Sequence, residues 1–241
     1  MQIITIAIQK GGTGKTTTAA ALAQAAALCG KKTLALDLDP QGNFTFAMGA
    51  KPIKGNTSFD LITGRGATPQ ILSNNLEMIP AAWELATLKT EPGSARRLQA
   101  AIRPLKKVYD FIFIDTPTIA GELQYNALQA STGLIIPLLG DIYNMQSLYQ
   151  MTDTAKHFQE KSNPDLEILG FIFTQIDTRS LIARQMQEKL TVFANKNNVP
   201  FLGSVRKGIA IQEAAALQKN LFEYAPKSNP AIDYLNIFER L

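Results

Sequence analysis

Lys10-Gly11-Gly12-Thr13-Gly14-Lys15-Thr16-Thr17 stands between an apolar run, Ile3–Ile8, and an alanine-rich segment, Lys15–Cys29. A β-type run, a glycine-rich turn and a helix in that order let backbone N–H groups converge on phosphate oxygens. Glycines permit the tight fold, and a helix starting near Gly14 adds the positive end of its dipole. Within this cradle Lys15 is expected to reach the β- and γ-phosphates of a nucleotide, with the Thr16 hydroxyl ligating magnesium. The spacing departs from the common G-x-x-x-x-G-K-[ST] pattern in one place, because Gln9 occupies the first glycine position. A second lysine, Lys10, stands at the loop entrance. It reads either as a solvated surface charge or as a cation that reaches phosphates across a dimer.

Working outward, short β-type runs alternate with longer helical patterns, which predicts an α/β fold with a mostly parallel twisted sheet flanked by helices. Strands are expected at Ile3–Ile8, Thr33–Asp37, Leu76–Ile79, Phe111–Asp115, Gly133–Pro137, Ile168–Thr174 and Val199–Leu202. Helices are expected at Lys15–Cys29, Ser94–Lys106, Met145–Phe158, Ile182–Asn195, Ile209–Gln218 and Ala231–Leu241. Gly30 fits a helix C-terminal cap. Gly42–Gly66 reads as loops with a short helix, and residues 1–241 as a single P-loop NTPase domain without repeats or linkers.

Two strands end in carboxylates. Thr33-Leu34-Ala35-Leu36-Asp37 leads into Leu38-Asp39-Pro40-Gln41-Gly42-Asn43, and Phe111-Ile112-Phe113-Ile114-Asp115 leads into Thr116-Pro117. In a parallel sheet both carboxylates emerge at the C-terminal edge, beside the phosphate loop, where α/β folds bind ligands. Asp37 and Asp115 are therefore candidate magnesium partners, directly or through water. Asp39 is the candidate for positioning an attacking water, in a loop shaped by Pro40 and Gly42 that is able to respond to the γ-phosphate.

The 241 residues are 46% hydrophobic and 18% charged, a composition expected of a globular chain with a substantial core. No run approaches the about 18 apolar residues of a membrane span, and no basic residue precedes Ile3–Ile8 to make it a signal peptide. The single cysteine, Cys29, excludes an internal disulfide and a C-x-x-C cluster site within one subunit, and points to the cytosol. The net charge of +4 is compatible with a polyanionic partner.

Together these residues resemble the ParA family of partition ATPases, within the deviant Walker A group that includes MinD-type proteins, over essentially the whole chain. Lys10–Thr17 is similar to the family's phosphate loop, with Lys10 at the signature-lysine position. Asp37–Asn43 resembles its first switch and Ile114-Asp115-Thr116-Pro117 its Walker B segment. Thr174-Gln175-Ile176-Asp177-Thr178-Arg179 resembles the segment flanking the adenine, although Asp177 reads equally as a turn residue. Glu213-Ala214 and Tyr224-Ala225-Pro226-Lys227-Ser228 resemble the C-terminal pattern. The resemblance implies ATP and Mg2+ as ligands, slow basal hydrolysis, and an ATP-bound homodimer in which Lys10 contacts the partner's nucleotide. It also implies nonspecific DNA binding, a ParB-type activator that releases the dimer from DNA, and a nucleoid-associated cytoplasmic location. Two departures stand out. Val205-Arg206-Lys207-Gly208-Ile209-Ala210 replaces the family's Ile-Pro-Arg-Asn-Val-Arg, and Thr118 replaces the second proline after Asp115.

Arg179, Arg184, Lys189, Arg206 and Lys207 are the basic residues expected on a DNA-facing surface, each with the alternative of an ordinary solvated charge. With no helix-turn-helix segment ahead of the first strand, operator-specific repression is not expected. A MinD-type membrane-associated ATPase would need a basic amphipathic tail, and Tyr234–Leu241 supplies none. A metal-cluster carrier on this fold would need cysteines at a ligand loop. His157 reads as surface or packing, Cys29 as a small core residue and Trp83 as packing.

Overall fold

The computed structural model describes residues 1–140, 144–177 and 179–241. The chain opens with β1 (Gln2–Ile6), α1 (Lys15–Leu28), β2 (Thr33–Asp37), and the short helices α2 (Asn43–Ala47) and α3 (Ser58–Ile62). It continues through β3 (Gln70–Ser73), β4 (Leu76–Ile79), α4 (Arg97–Ile102), β5 (Phe111–Asp115) and α5 (Glu122–Ala130). Next come β6 (Gly133–Leu139), α6 (Asn144–Lys161), β7 (Glu167–Ile176), α7 (Leu181–Lys196) and β8 (Phe201–Arg206), then α8 (Ile209–Ala216), α9 (Leu221–Tyr224) and α10 (Asn229–Phe238).

The eight strands form one sheet in the order β3-β4-β2-β5-β1-β6-β7-β8. Every pairing is parallel except β3–β4. Alternation along β1 sends Ile4 and Ile6 into the core under α1, α8 and α10, while Ile3 packs on the opposite face with Leu98, Ile112 and Leu123. Helices thus cover both faces, and α1 is buried along most of its length because alanines let it lie close to the sheet. The chain runs from β1 toward one edge and later, at β6, toward the other, so the loop after β1 sits where the strand order reverses. That crevice is where such sheets bind ligands. Pro137 is tolerated in a central strand because the β1 side of β6 is laddered only as far as the Ala7 N–H bond to the Ile135 carbonyl. Beyond it, β1 has already turned into the glycine loop, so no ladder bond is lost.

Several expectations needed correction. Ser94–Lys106 is three pieces, with 3-10 turns at Ser94–Arg96 and Arg103–Lys107 around α4, because Pro104 cannot donate within a continuing helix. The last parallel strand is Phe201–Arg206 rather than Val199–Leu202. Cys29 is exposed, since it caps α1 one residue past the helix end and three past the last buried residue, Ala26. Trp83 is 70% exposed and rims a surface groove with Phe59 and Arg65. His157 is on the surface, as expected. Among the described residues no helix is long and apolar enough to cross a membrane.

Candidate functional site

The loop between β1 and α1 is shaped by two left-handed residues, Gly12 at φ 73° and Gly14 at φ 84°, where a side chain would be strained. Its carbonyls are tied back toward β7. The Thr174 hydroxyl donates to the Thr13 carbonyl at 2.7 Å, and the Gln175 amide donates to the Gly12 carbonyl at 3.1 Å. The loop borders a cavity of about 530 Å3 lined by Gly12, Gly14, Lys15, Thr16, Asp39 and Thr118. The start of α1 adjoins the same cavity, its first turn closed by the Thr18 N–H to Gly14 carbonyl bond.

Lys15 is buried at 7% exposure and its ammonium donates to the Lys10 carbonyl and to Thr118 Oγ1, both at 3.1 Å. Burial pushes its pKa below the ordinary lysine value, with Asp115 and then Asp39 pulling the other way. The Thr16 hydroxyl donates to Asp115 Oδ2 at 2.7 Å. The other oxygen of Asp115, Oδ1, is buried without a hydrogen-bond partner among the described residues. A hydroxyl and an orphaned carboxylate oxygen so placed fit a hard cation that takes oxygen ligands.

Asp37 lies beside Asp115 in the strand register but serves a different local purpose. Its oxygens accept from the Thr45 N–H at 2.8 Å, the Thr45 hydroxyl at 2.7 Å and the Asp39 N–H at 3.0 Å. Thr45 in turn accepts from the Ala81 N–H at 2.9 Å. Asp37 therefore pins the loop that carries Asp39 to the start of α2. Burial pushes its pKa up to about 6 against these donors. Burial and then the Asp37 charge push Asp115 well above the ordinary carboxylate value. Asp39 is half-buried and lines the cavity, with its Oδ1 accepting from the Gln41 N–H at 3.0 Å.

Lys10, Gly11, Gly12, Thr13, Gly14, Lys15, Thr16, Thr17, Asp39 and Asp115 are thus gathered at one sheet edge, as the sequence led us to expect. The remaining candidates are dispersed. Asp177 is exposed and ion-paired to Arg179 at 3.2 Å, whose guanidinium holds the carboxyl below its usual value. Thr178 lies outside the described residues. Arg206 is paired to Asp233 at 2.6 Å, so its charge is largely spoken for. Arg206 and Lys207 line a cleft of about 110 Å3 with Gly14, Thr17, Thr174 and Gln175, next to the phosphate loop. Arg184 and Lys189 are exposed on α7. No local pattern signals that Thr45 holds Asp37, since the bond joins a strand end to a helix that only the fold brings together.

The AAA domain family model matches residues 1–168. The sporulation initiation inhibitor protein Soj of Bacillus subtilis is 33% identical, the match covering 98% of this chain and 96% of that protein. The chromosome partitioning protein ParA of Myxococcus xanthus is 33% identical over 100% of this chain and 87% of its own length. Among solved structures, cobyrinic acid a,c-diamide synthase from Mycobacterium smegmatis, with bound ATP analog and magnesium, superposes with a TM-score of 0.84 at 27% identity. That match covers 99% of this chain and 93% of that one. The septum site-determining protein MinD of Pyrococcus horikoshii, complexed with Mg-ADP, gives 0.80 at 26% identity, covering 99% and 94%. With the loop geometry and these full-length likenesses in agreement, the chain belongs to the AAA domain family and, within it, to the Soj/ParA group of partition and positioning P-loop ATPases.

Proposed function

We propose that this protein segregates DNA-linked cargo through an ATP-driven cycle of dimerisation and DNA attachment. ATP with Mg2+ binds at Lys10–Thr17, two subunits close over the nucleotides, and the dimer holds DNA without reading its sequence. A ParB-type partner then stimulates hydrolysis to ADP and phosphate and frees the dimer from DNA. The observation that carries this reading is the single cavity that joins Lys15, Thr16, Asp39 and Thr118. Exposed apolar side chains support closure by a second copy, for Phe46 lines the cavity and is 56% exposed, and Ile119, next to Thr118, is 80% exposed.

In this scheme the backbone amides of the glycine loop grip the phosphates, Lys15 neutralises charge at the transferred group, and Lys10 reaches the partner subunit's nucleotide. Thr16 and Asp115 would hold magnesium, which when bound neutralises charge on the β- and γ-phosphates. Asp39 orients the attacking water, and Asp37 keeps the loop carrying it in shape through Thr45. Most of the work is positioning and charge neutralisation, so without an activator the basal rate is low.

Lys207, Lys189, Arg184 and Arg179 remain the candidates for phosphate contacts with DNA, and Asp177 for the adenine. The likeness to Soj and ParA over the full chain supports the partition reading, and the nucleotide and magnesium in two structural neighbours support the ligands. The test is retention of nonspecific duplex DNA with ATP, with ADP and without nucleotide, at two salt concentrations, alongside turnover by wild type, Lys15→Ala and Lys10→Ala. ATP-dependent, salt-sensitive retention that Lys15→Ala abolishes is expected, with Lys10→Ala binding ATP but hydrolysing it poorly. Retention that ignores ATP would refute the cycle, and unchanged turnover by Lys10→Ala would remove its role.

A further inference from the structure

We propose that Thr118 is a positioning residue that gives the phosphate site its preference for a triphosphate over a diphosphate, acting through its hydroxyl on Lys15 and on the third phosphoryl group. The inference rests on the ATP-binding reading above and adds a residue to it. Thr116 and Thr118 flank Pro117 just after β5, and their hydroxyls take different partners. Thr116 is buried and donates to the Ile6 carbonyl at 2.9 Å, anchoring the loop to β1. Thr118 is half-buried, accepts from the Lys15 ammonium at 3.1 Å, and lines the same cavity as Thr16 and Asp39.

Donor arithmetic gives this contact a purpose. A lysine ammonium has three N–H donors; one goes to the Lys10 carbonyl and one to Thr118, leaving one for a ligand. A threonine hydroxyl that accepts from a cation keeps its own O–H to donate, and among the described residues no acceptor takes it. That proton stands beside a buried cation and on the wall of the cavity, where the matching acceptor is an anionic oxygen. Lys15 reaches the β- and γ-phosphates while the glycine-loop amides hold the groups nearer the nucleoside. A hydroxyl bound to the ammonium therefore favours the phosphoryl group that ATP has and ADP lacks. The family resemblance places proline here, which has neither hydroxyl nor N–H, so the device belongs to this chain and not to the motif.

The experiment is calorimetric titration of wild type, Thr118→Val and Thr118→Ser with Mg·ADP and with a magnesium complex of a nonhydrolysable ATP analogue, with kcat and KM for ATP measured in parallel. Thr118→Val should bind the triphosphate analogue about tenfold more weakly, the factor for losing a hydrogen bond to a charged group, and Mg·ADP within about twofold. Thr118→Ser should restore the preference. Equal affinities in wild type and Thr118→Val, an equal loss for both nucleotides, or failure of serine to rescue each overturns the proposal. Wild type that binds neither nucleotide refutes the ATPase reading itself and takes this inference with it, a result distinct from the other three.

Discussion

Replacing Asp115 with asparagine is expected to leave the ligand-free protein as stable or more stable, while removing its response to magnesium. The carboxylate is fully buried, its Oδ1 has no partner among the described residues, and it stands beside the equally buried Asp37 on the neighbouring strand. A buried carboxylate is costly to desolvate, and the second one beside it adds repulsion; the neutral amide relieves both, although its NH2 group takes the unpaired place of Oδ1. The amide keeps an acceptor for the Thr16 hydroxyl, now at 2.7 Å from Oδ2. The ligand-free variant should therefore gain between zero and about 2 kcal/mol. For a chain of this size that is a rise in Tm of at most about 4–8 °C. Wild type at a nucleotide concentration of about 100 Kd should gain about 2.7 kcal/mol from binding, or about 5–10 °C, with a part that disappears on chelation of magnesium. Thermal unfolding followed by circular dichroism, with ATP plus magnesium and with ATP plus EDTA, reads both terms. Asp115→Asn unfolding below wild type without ligand would refute the account of the buried pair. Retention of the full magnesium-dependent increment would remove Asp115 from the metal site.

Asp39→Ala should bind Mg·ATP within a few-fold of wild type yet hydrolyse it about 100-fold more slowly or worse, because the side chain lines the cavity and its one loop bond, from the Gln41 N–H, is short-range; normal turnover would end the water-positioning role. Asp60 closes a capping box at the start of α3, where it accepts from the Thr57 N–H and hydroxyl. Burial pushes its carboxyl up, but these donors and Arg65 outweigh burial and bring its pKa below the ordinary value. Its charge therefore stabilises the fold above the unfolded-state pKa, and this contribution is lost as pH falls through the lower folded-state value. Asp60→Asn should cost about 1 kcal/mol at neutral pH, shrinking toward zero in denaturation curves as pH falls through the lowered folded-state pKa; a cost independent of pH would contradict this. For DNA, Lys207→Ala should reduce the salt dependence of binding by about one counterion, whereas Arg206→Ala should lower Tm and leave the salt slope unchanged, since Asp233 already neutralises that guanidinium. The reverse pattern in a salt titration would exchange their assignments.

What could be read in advance was local. β2 and β5 end where their apolar runs meet Asp37 and Asp115, because a buried parallel strand is mostly apolar and the first charged residue marks the sheet edge. α5 was invisible for the opposite reason. Asn126 and Gln129 are buried with their amides satisfied by Glu122, Leu98 and Ser162, so the helix shows no clean apolar stripe. β3 is a short antiparallel edge with Ile71 at 78% exposure, too brief to leave a period. Asp37 and Asp115 looked alike as strand-terminal carboxylates, and only their partners separate them.

The sequence alone determined the phosphate loop, the α/β class and the carboxylates at the sheet edge, because glycine geometry, lysine charge and strand burial act over a few neighbouring residues. Which carboxylate is left open for a cation, which carbonyls are pulled back by Thr174 and Gln175, and which hydroxyl meets Lys15 were decided by the tertiary structure. Those contacts join positions up to 163 residues apart, and no local pattern records where such atoms meet once the sheet has closed the distance.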